Sequence, residues 1–204
     1  AAAETHFRSA LDNHEKAGAR RGISASYNNL GMVSMKQGDR AGAVRWYERA
    51  VRIHARSGNR TRLAQTYNNL GSLYGEMGQH QRAEGFLRES IRIRTDSGHG
   101  DVASGYANLG ECLMLQDRLE EADTHLRRAI KLLETGRGPQ YIVPDVWRSL
   151  AELLLRRTPP DVVGANDAGH HSLQRARQAK DQPRAAAALR VLGRVEILKG
   201  DGAS

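Results

Sequence analysis

Cysteine is nearly absent from this 204-residue chain: Cys112 is the only one. An intramolecular disulfide is therefore excluded, which suits a reducing compartment, and the cytoplasm is the expected location. Aromatic residues make up only 5% of the chain, which argues against one large aromatic core. Five prolines leave room for long helices. No run approaches the length of apolar sequence that a membrane span needs, and the first residues lack the charged and apolar regions of a signal peptide. No phosphate-binding loop of the Gly-x4-Gly-Lys-Ser/Thr kind occurs. Gly98-His99-Gly100 reads as a turn at a helix end, not as a dinucleotide loop. His170 and His171 are adjacent, so on a helix they point about 100° apart and chelate poorly, and no Cys or carboxylate cluster has zinc spacing. They read as helix surface, Cys112 as a structural thiol, and His14, His54 and His125 as surface or groove-edge residues. No catalytic residue, metal or cofactor is expected, and the chain is not read as an enzyme.

What is present is a repeat. Tyr27-Asn28-Asn29-Leu30-Gly31 recurs 40 residues on as Tyr67-Asn68-Asn69-Leu70-Gly71, and again as Tyr106-Ala107-Asn108-Leu109-Gly110. Weaker copies are Trp147-Arg148-Ser149-Leu150-Ala151 and Leu189-Arg190-Val191-Leu192-Gly193. A second pattern follows each of the first three copies. Ala43, Tyr47 and Ala50 are matched by Ala83, Leu87 and Ser90, and by Ala122, Leu126 and Ala129. Ala3, Phe7 and Ala10 precede them at the same spacing. Ala165, Gly169 and Ser172 form a weaker copy after an insertion around Thr158-Pro159-Pro160. Spacings of three and four place each set on one helix face, so every unit is a pair of helices. Gly38-Asp39 and Gly78-Gln79 break the pair, and Gly58, Gly98 and Gly136 end the second helix. Gly31, Gly71 and Gly110 lie inside helices, at a cost of about 1 kcal/mol each against Ala. Paying that cost repeatedly implies a close helix crossing.

An aromatic residue followed by Leu-Gly, then Ala-x3-aromatic-x2-Ala, resembles the tetratricopeptide repeat motif over nearly the whole chain. The spacing of about 40 residues exceeds the usual figure of about 34. With Asn-Asn-Leu-Gly, it is similar to the repeats of kinesin light chains, Pins-type polarity adaptors and bacterial signalling proteins; the Arg-, Ala- and Gly-rich composition also fits a GC-rich bacterial genome. The resemblance implies an all-α fold, a right-handed superhelical solenoid of antiparallel helix pairs with about ten helices. The expected divisions are 1–19 (a second helix alone), 20–58, 59–98, 99–137 and 138–180 as full pairs, and 181–204 (a first helix alone, with Gly200-Asp201 as the turn after it). Neither end reads as a cap, so the chain is expected to be a single solenoid taken from a longer protein, and end-to-end self-association through its terminal helices is a further expectation.

The resemblance also implies a concave groove lined by the first helices, which would bind a peptide or protein segment. The positions expected there are Asn28, Asn29, Met32 and Lys36 in the first pair, then Gln65, Asn68, Asn69, Ser72 and Glu76 in the second. Asn108 and Glu111 follow in the third, Arg148 and Glu152 in the fourth, and Arg190 and Arg194 in the last helix. Asn29, Asn69 and Asn108 carry both a donor and an acceptor and could pair with a peptide backbone, or could serve only between helices. Lys36, Arg148 and Arg156 could hold a carboxylate, but Glu76 replaces the lysine in the next pair, so no carboxylate clamp across consecutive pairs is expected. The partner is a protein or peptide in trans, or a neighbouring domain if the chain is the sensor arm of a bacterial signalling or transcription-regulating protein. The net charge of +8 is spread mainly over dispersed arginines. Nucleic acid is disfavoured as a partner, because no stacking aromatics interleave with the basic residues.

Overall fold

The computed structural model describes residues 2–98 and 101–201. Among these residues the secondary structure is ten α-helices and one short 3-10 turn: α1 (Ala2–Lys16), α2 (Arg20–Lys36), α3 (Arg40–Arg56), α4 (Arg60–Glu76), α5 (His80–Ser97), α6 (Val102–Leu115), α7 (Leu119–Glu134), the turn Gln140–Ile142, α8 (Val143–Arg156), α9 (Val162–Gln178) and α10 (Gln182–Asp201). They fall into two compact units, residues 1–100 and residues 101–204.

Helix starts follow the chemistry of the cap. Asp39, Asn59, Asp101, Asp161 and Asp181 each accept a hydrogen bond from the backbone N–H three residues on, at 2.8–3.1 Å. Each satisfies one of the four orphan N–H groups of a helix start. Helix ends use a left-handed residue. Gly38, at φ 81°, lets its N–H reach the Met35 carbonyl while Asp39 N–H reaches that of Ser34. Gly58, Gly78, Gly98 and Gly136 sit likewise at positive φ, and Asp117 and Lys180 fill the same role without glycine. His99 and Gly100, which the sequence assigns to the same turn, lie outside the described residues. The expected turn at Gly200-Asp201 is corrected: α10 runs on through Asp201, because a single glycine penalises a helix by only about 1 kcal/mol and does not stop it.

The glycines inside helices have the packing reason their recurrence implies. In the first unit α2 crosses α3 and α4 crosses α5. A Cβ on Gly31 would sit 2.6 Å from the Tyr47 ring, and one on Gly71 would sit 2.5 Å from Leu87 Cγ. In the second unit α6 crosses α7 in the same way, with Gly110 beneath Leu126 at 2.7 Å. Tyr47, Leu87 and Leu126 are fully buried. The α8–α9 pair reverses the size relation: Ala151 stands in the place of the helix-interior glycine, and Gly169 in that of the large residue.

A second recurring contact joins each pair. Tyr27 stacks on Trp46 and Tyr106 on His125, with Tyr67 tilted against Phe86, at ring separations of 5.6–5.7 Å. In the last pair Trp147 stacks on His171 at 4.5 Å. His125, half-buried, and His171, exposed on the helix surface, are thus also ring partners. Arg49 and Arg128 cover Tyr27 and Tyr106, and His171 occupies their register in α9. Where a small apolar position has become serine, the hydroxyl is satisfied across the pair. Ser90 donates to the Ala64 carbonyl and Ser172 to that of Pro144, both at 2.7 Å. Cys112 is buried, as a structural thiol should be.

Candidate functional site

In the unit of residues 1–100 the expected groove positions lie on α2 and α4, and they do different jobs. Asn28 is buried at 8% exposure. Its Oδ1 accepts from Asn69 Nδ2 at 3.3 Å and from Thr66 Oγ1 at 3.4 Å, which ties α4 to α2. Asn28 therefore joins helices, and Asn69 already has one of its donors committed. Asn29, Asn68 and Ser72 are half-buried, while Lys36, Gln65 and Glu76 are exposed. Met32 is exposed at 43%, large for an apolar side chain on a packed helix.

The unit of residues 101–204 has a clearer concavity. A hollow of about 800 Å³ runs between α8 and α10, lined in part by Asp145, Arg148, Glu152, Arg184, Arg190 and Arg194. A second hollow of about 340 Å³ shares Arg148, Glu152 and Arg194 and continues onto α6 through Glu111, Met114 and the exposed Leu115. Asn108 lies half-buried on the same helix.

Most charges in these hollows are already matched. Arg148 pairs with Glu152 at 2.7 Å. Arg184 bridges Asp145 at 2.8 Å and Asp181 at 2.6 Å. Arg156, expected as a possible carboxylate holder, instead donates to the Met114 carbonyl at 2.8 Å and pairs with Asp117 at 2.9 Å. It thereby adds a cationic donor at the C-terminal end of α6, where the helix dipole favours one. Arg190 and Arg194 are exposed and have no acidic partner among the described residues.

Two carboxyls here have displaced titrations: the Arg184 backbone N–H and guanidinium hold Asp181 below its ordinary value, and Glu111 is displaced the other way. Burial pushes its pKa above the ordinary value, and the Ser149 hydroxyl, donating at 2.6 Å, offsets only part of that. The folded chain therefore binds this proton more readily than the unfolded chain does. The contribution of Glu111 to stability falls as the pH rises from the ordinary carboxylate value through the raised folded value. Glu111→Gln is expected to remove that slope and to leave stability at neutral pH unchanged or higher, as read by thermal unfolding across the pH range. A clear loss of stability at neutral pH would mean that the ionised carboxylate is the favoured form.

Sequence reading placed Glu111, Arg148, Glu152, Arg190 and Arg194 in one region, and all five line these hollows. It missed Arg184 and Asp181. A signal did exist: Asp145–Arg184, Asp117–Arg156, Glu111–Ser149 and Asn28–Asn69 all lie 38 to 41 residues apart, about one repeat. Pairing polar residues at the repeat spacing would have exposed the network.

No helix among the described residues is long and apolar enough to cross a membrane. A comparison with curated protein sequences finds no match. Solved structures do match. One is the Signal Transduction ATPase with Numerous Domains (STAND) protein with a tetratricopeptide repeat sensor from Pyrococcus horikoshii, at TM-score 0.76 and 16% identity over 97% of this chain and 30% of that one. Another is the kinesin light chain with nearly identical TPR-like repeats from Podosopora anserina, at TM-score 0.66 and 20% identity over 87% of this chain and 86% of that one. A third is a Rap protein crystallised with Competence and Sporulation Factor, at TM-score 0.66 and 16% identity over 97% of this chain and 59% of that one. Identities this low carry the fold alone. Two family models described as tetratricopeptide repeat match residues 22–96 and 103–132. These matches together cover just over half of the chain, and they rest on the same helix pairs whose glycine crossings and stacked rings recur in the structure: the chain belongs to the tetratricopeptide repeat family.

Proposed function

We propose that this chain is a protein-interaction module whose first helices bind a peptide or protein segment, and that the segment carries at least one carboxylate. Tetratricopeptide repeats as a family point to protein–protein interaction. The observation that carries the finer reading is the pair Arg190 and Arg194. They flank a hollow of about 800 Å³ in which every other charged side chain has a partner. A carboxylate from a ligand would meet two guanidiniums there, while Met114 and Leu115 on α6 offer adaptable apolar contact. In the unit of residues 1–100, the exposed Met32, Lys36, Gln65 and Glu76 and the half-buried Asn29, Asn68, Asn69 and Ser72 are the groove positions that retain surface for a ligand. Asn108 has the corresponding place on α6. The Rap protein, similar in fold, was crystallised with Competence and Sporulation Factor, which supports a ligand of this class.

A second reading has its own support. The match to the STAND protein places nearly all of this chain on a protein described as having a tetratricopeptide repeat sensor. In that reading the same groove receives a ligand or a neighbouring domain, and binding is relayed within one protein.

The test is selection of peptides from a random display library on the immobilised chain, followed by hydrogen exchange of the complex. Acidic peptides that protect α6, α8 and α10 are the expected result. A library that yields no binders, or binders that protect only α7 and α9, would sink the groove reading.

A further inference from the structure

A second polar cluster lies in the unit of residues 1–100, where α2 and α4 begin and α3 ends. Arg20, Arg21, His54, Ser57, Asn59 and Arg62 line a hollow of about 210 Å³. No carboxylate lines it, and none of the three arginines has an acidic partner among the described residues. Neither α2 nor α4 has an acidic residue in its first turn, although a helix start favours negative charge. Here three guanidiniums gather at two such starts, which is the reverse of the stable arrangement unless an anion is present. Asn59 Oδ1 accepts from the Arg62 N–H, which leaves the amide NH₂ as a donor.

The independent observation is His54. It is only 3% exposed and lines the hollow, yet its ring meets no hydrogen-bond partner among the described residues. Buried polar groups normally have one. One repeat earlier, His14 has its Nδ1 3.1 Å from the Ser26 hydroxyl. The residue matching Ser26 beside His54 is Thr66, whose hydroxyl hydrogen is directed at the Arg62 carbonyl and Asn28 Oδ1; no hydrogen bond joins it to the His54 ring among the described residues. The sequence reading of His54 as a surface or groove-edge residue is thus corrected: it is buried and lines a small cationic hollow.

We infer that this hollow binds a phosphoryl-type oxyanion, as free phosphate or a phosphate monoester, held by Arg20, Arg21 and Arg62 with His54 beneath it. Side chains from three helices, α2, α3 and α4, line it. That suits a tetrahedral oxyanion better than a flat carboxylate, and guanidinium forks match phosphate oxygens. Burial first, and the charge of Arg62 second, hold His54 below the ordinary imidazole pKa. The charged groups facing it are Arg20 and Arg21 from α2 and Arg62 from α4. A bound dianion offsets the charge of Arg62 and gives the ring an acceptor, so His54 takes up a proton with the anion and affinity rises on acidification.

The experiment is thermal unfolding of the whole chain in phosphate, sulfate, phosphoserine or chloride at matched ionic strength, beside the variant Arg20→Ala/Arg62→Ala. Both residues are exposed, so the variant keeps its fold. Phosphate and sulfate also stabilise proteins by exclusion from their surfaces, so the readout is the difference between the two proteins. A saturating rise in Tm of about 2–5 °C is expected in the unaltered chain, at least halved in the variant. A rise with inorganic phosphate alone assigns the site to the free anion, and an equal or larger rise with phosphoserine assigns it to a monoester. Sulfate keeps its charge over the range, so its affinity should grow roughly tenfold from about pH 7.5 to about pH 5.5, and His54→Gln should abolish that growth. Equal stabilisation of the chain and the arginine variant by every anion would overturn the inference.

Discussion

Leu87→Ala destabilises this protein by about 2–5 kcal/mol, the range for removing a fully buried leucine and leaving a cavity. Leu87 is 1% exposed and lies directly over Gly71, where α4 and α5 cross. Gly71→Ala carries two opposing effects. It gains about 1 kcal/mol of helix propensity, and it drives a methyl group to within 2.5 Å of Leu87 Cγ and 3.2 Å of the Ala83 carbonyl. The leucine end can shift, but the backbone oxygen is fixed by its helix. Overpacking of this kind costs about 1–3 kcal/mol, so the net effect is a loss. In the double variant the new methyl occupies the space the leucine has left. The two changes should then couple by about 0.5–3 kcal/mol, and the double variant should be more stable than the sum of the singles predicts. Urea unfolding followed by circular dichroism gives all three values. Strict additivity would mean that glycine in this position answers some need other than the helix crossing.

The second large effect concerns binding. Arg190→Glu/Arg194→Glu is expected to weaken an acidic peptide selected on this chain by about 10- to 100-fold. Charge-assisted hydrogen bonds contribute about 1.5–3 kcal/mol each, and the estimate is reduced because both arginines are exposed and screened by salt. The variant should unfold at the temperature of the unaltered chain, since neither residue supports an ion pair among the described residues. Arg148→Ala should weaken binding less and lower stability slightly, because its partner Glu152 then loses its match. Titration calorimetry at two salt concentrations separates these cases. Affinity within twofold of the unaltered chain for the charge reversal would remove Arg190 and Arg194 from the ligand's path, leaving the rest of the groove to be tested by itself. The anion hollow lies in the other unit and involves none of these residues, so its outcome is independent.

The repeat of about 40 residues, with apolar positions three and four apart, is enough to determine ten helices, their pairing and their turn chemistry, because these depend on local spacing and on residues with strong conformational preferences. Asp39, Asn59 and Asp161 cap helices for reasons local to their own turns, and Gly31, Gly71 and Gly110 announce a close crossing by recurring where a helix disfavours them. Which polar side chains remain available was a different matter. Asn28 and Asn29 are neighbours in sequence and equal in chemistry, yet only the packing of α4 on α2 buries the first. Arg156 and Arg194 look alike as groove cations, but the Met114 carbonyl and Asp117 come within reach of Arg156 alone. His54 and His14 share a repeat position, yet only the His14 ring meets a hydroxyl of the next helix. Periodicity determined where each side chain lies on its own helix. Its partners come from other helices, about one repeat away in sequence, so the tertiary structure decided which groups are satisfied within the fold and which still face a ligand.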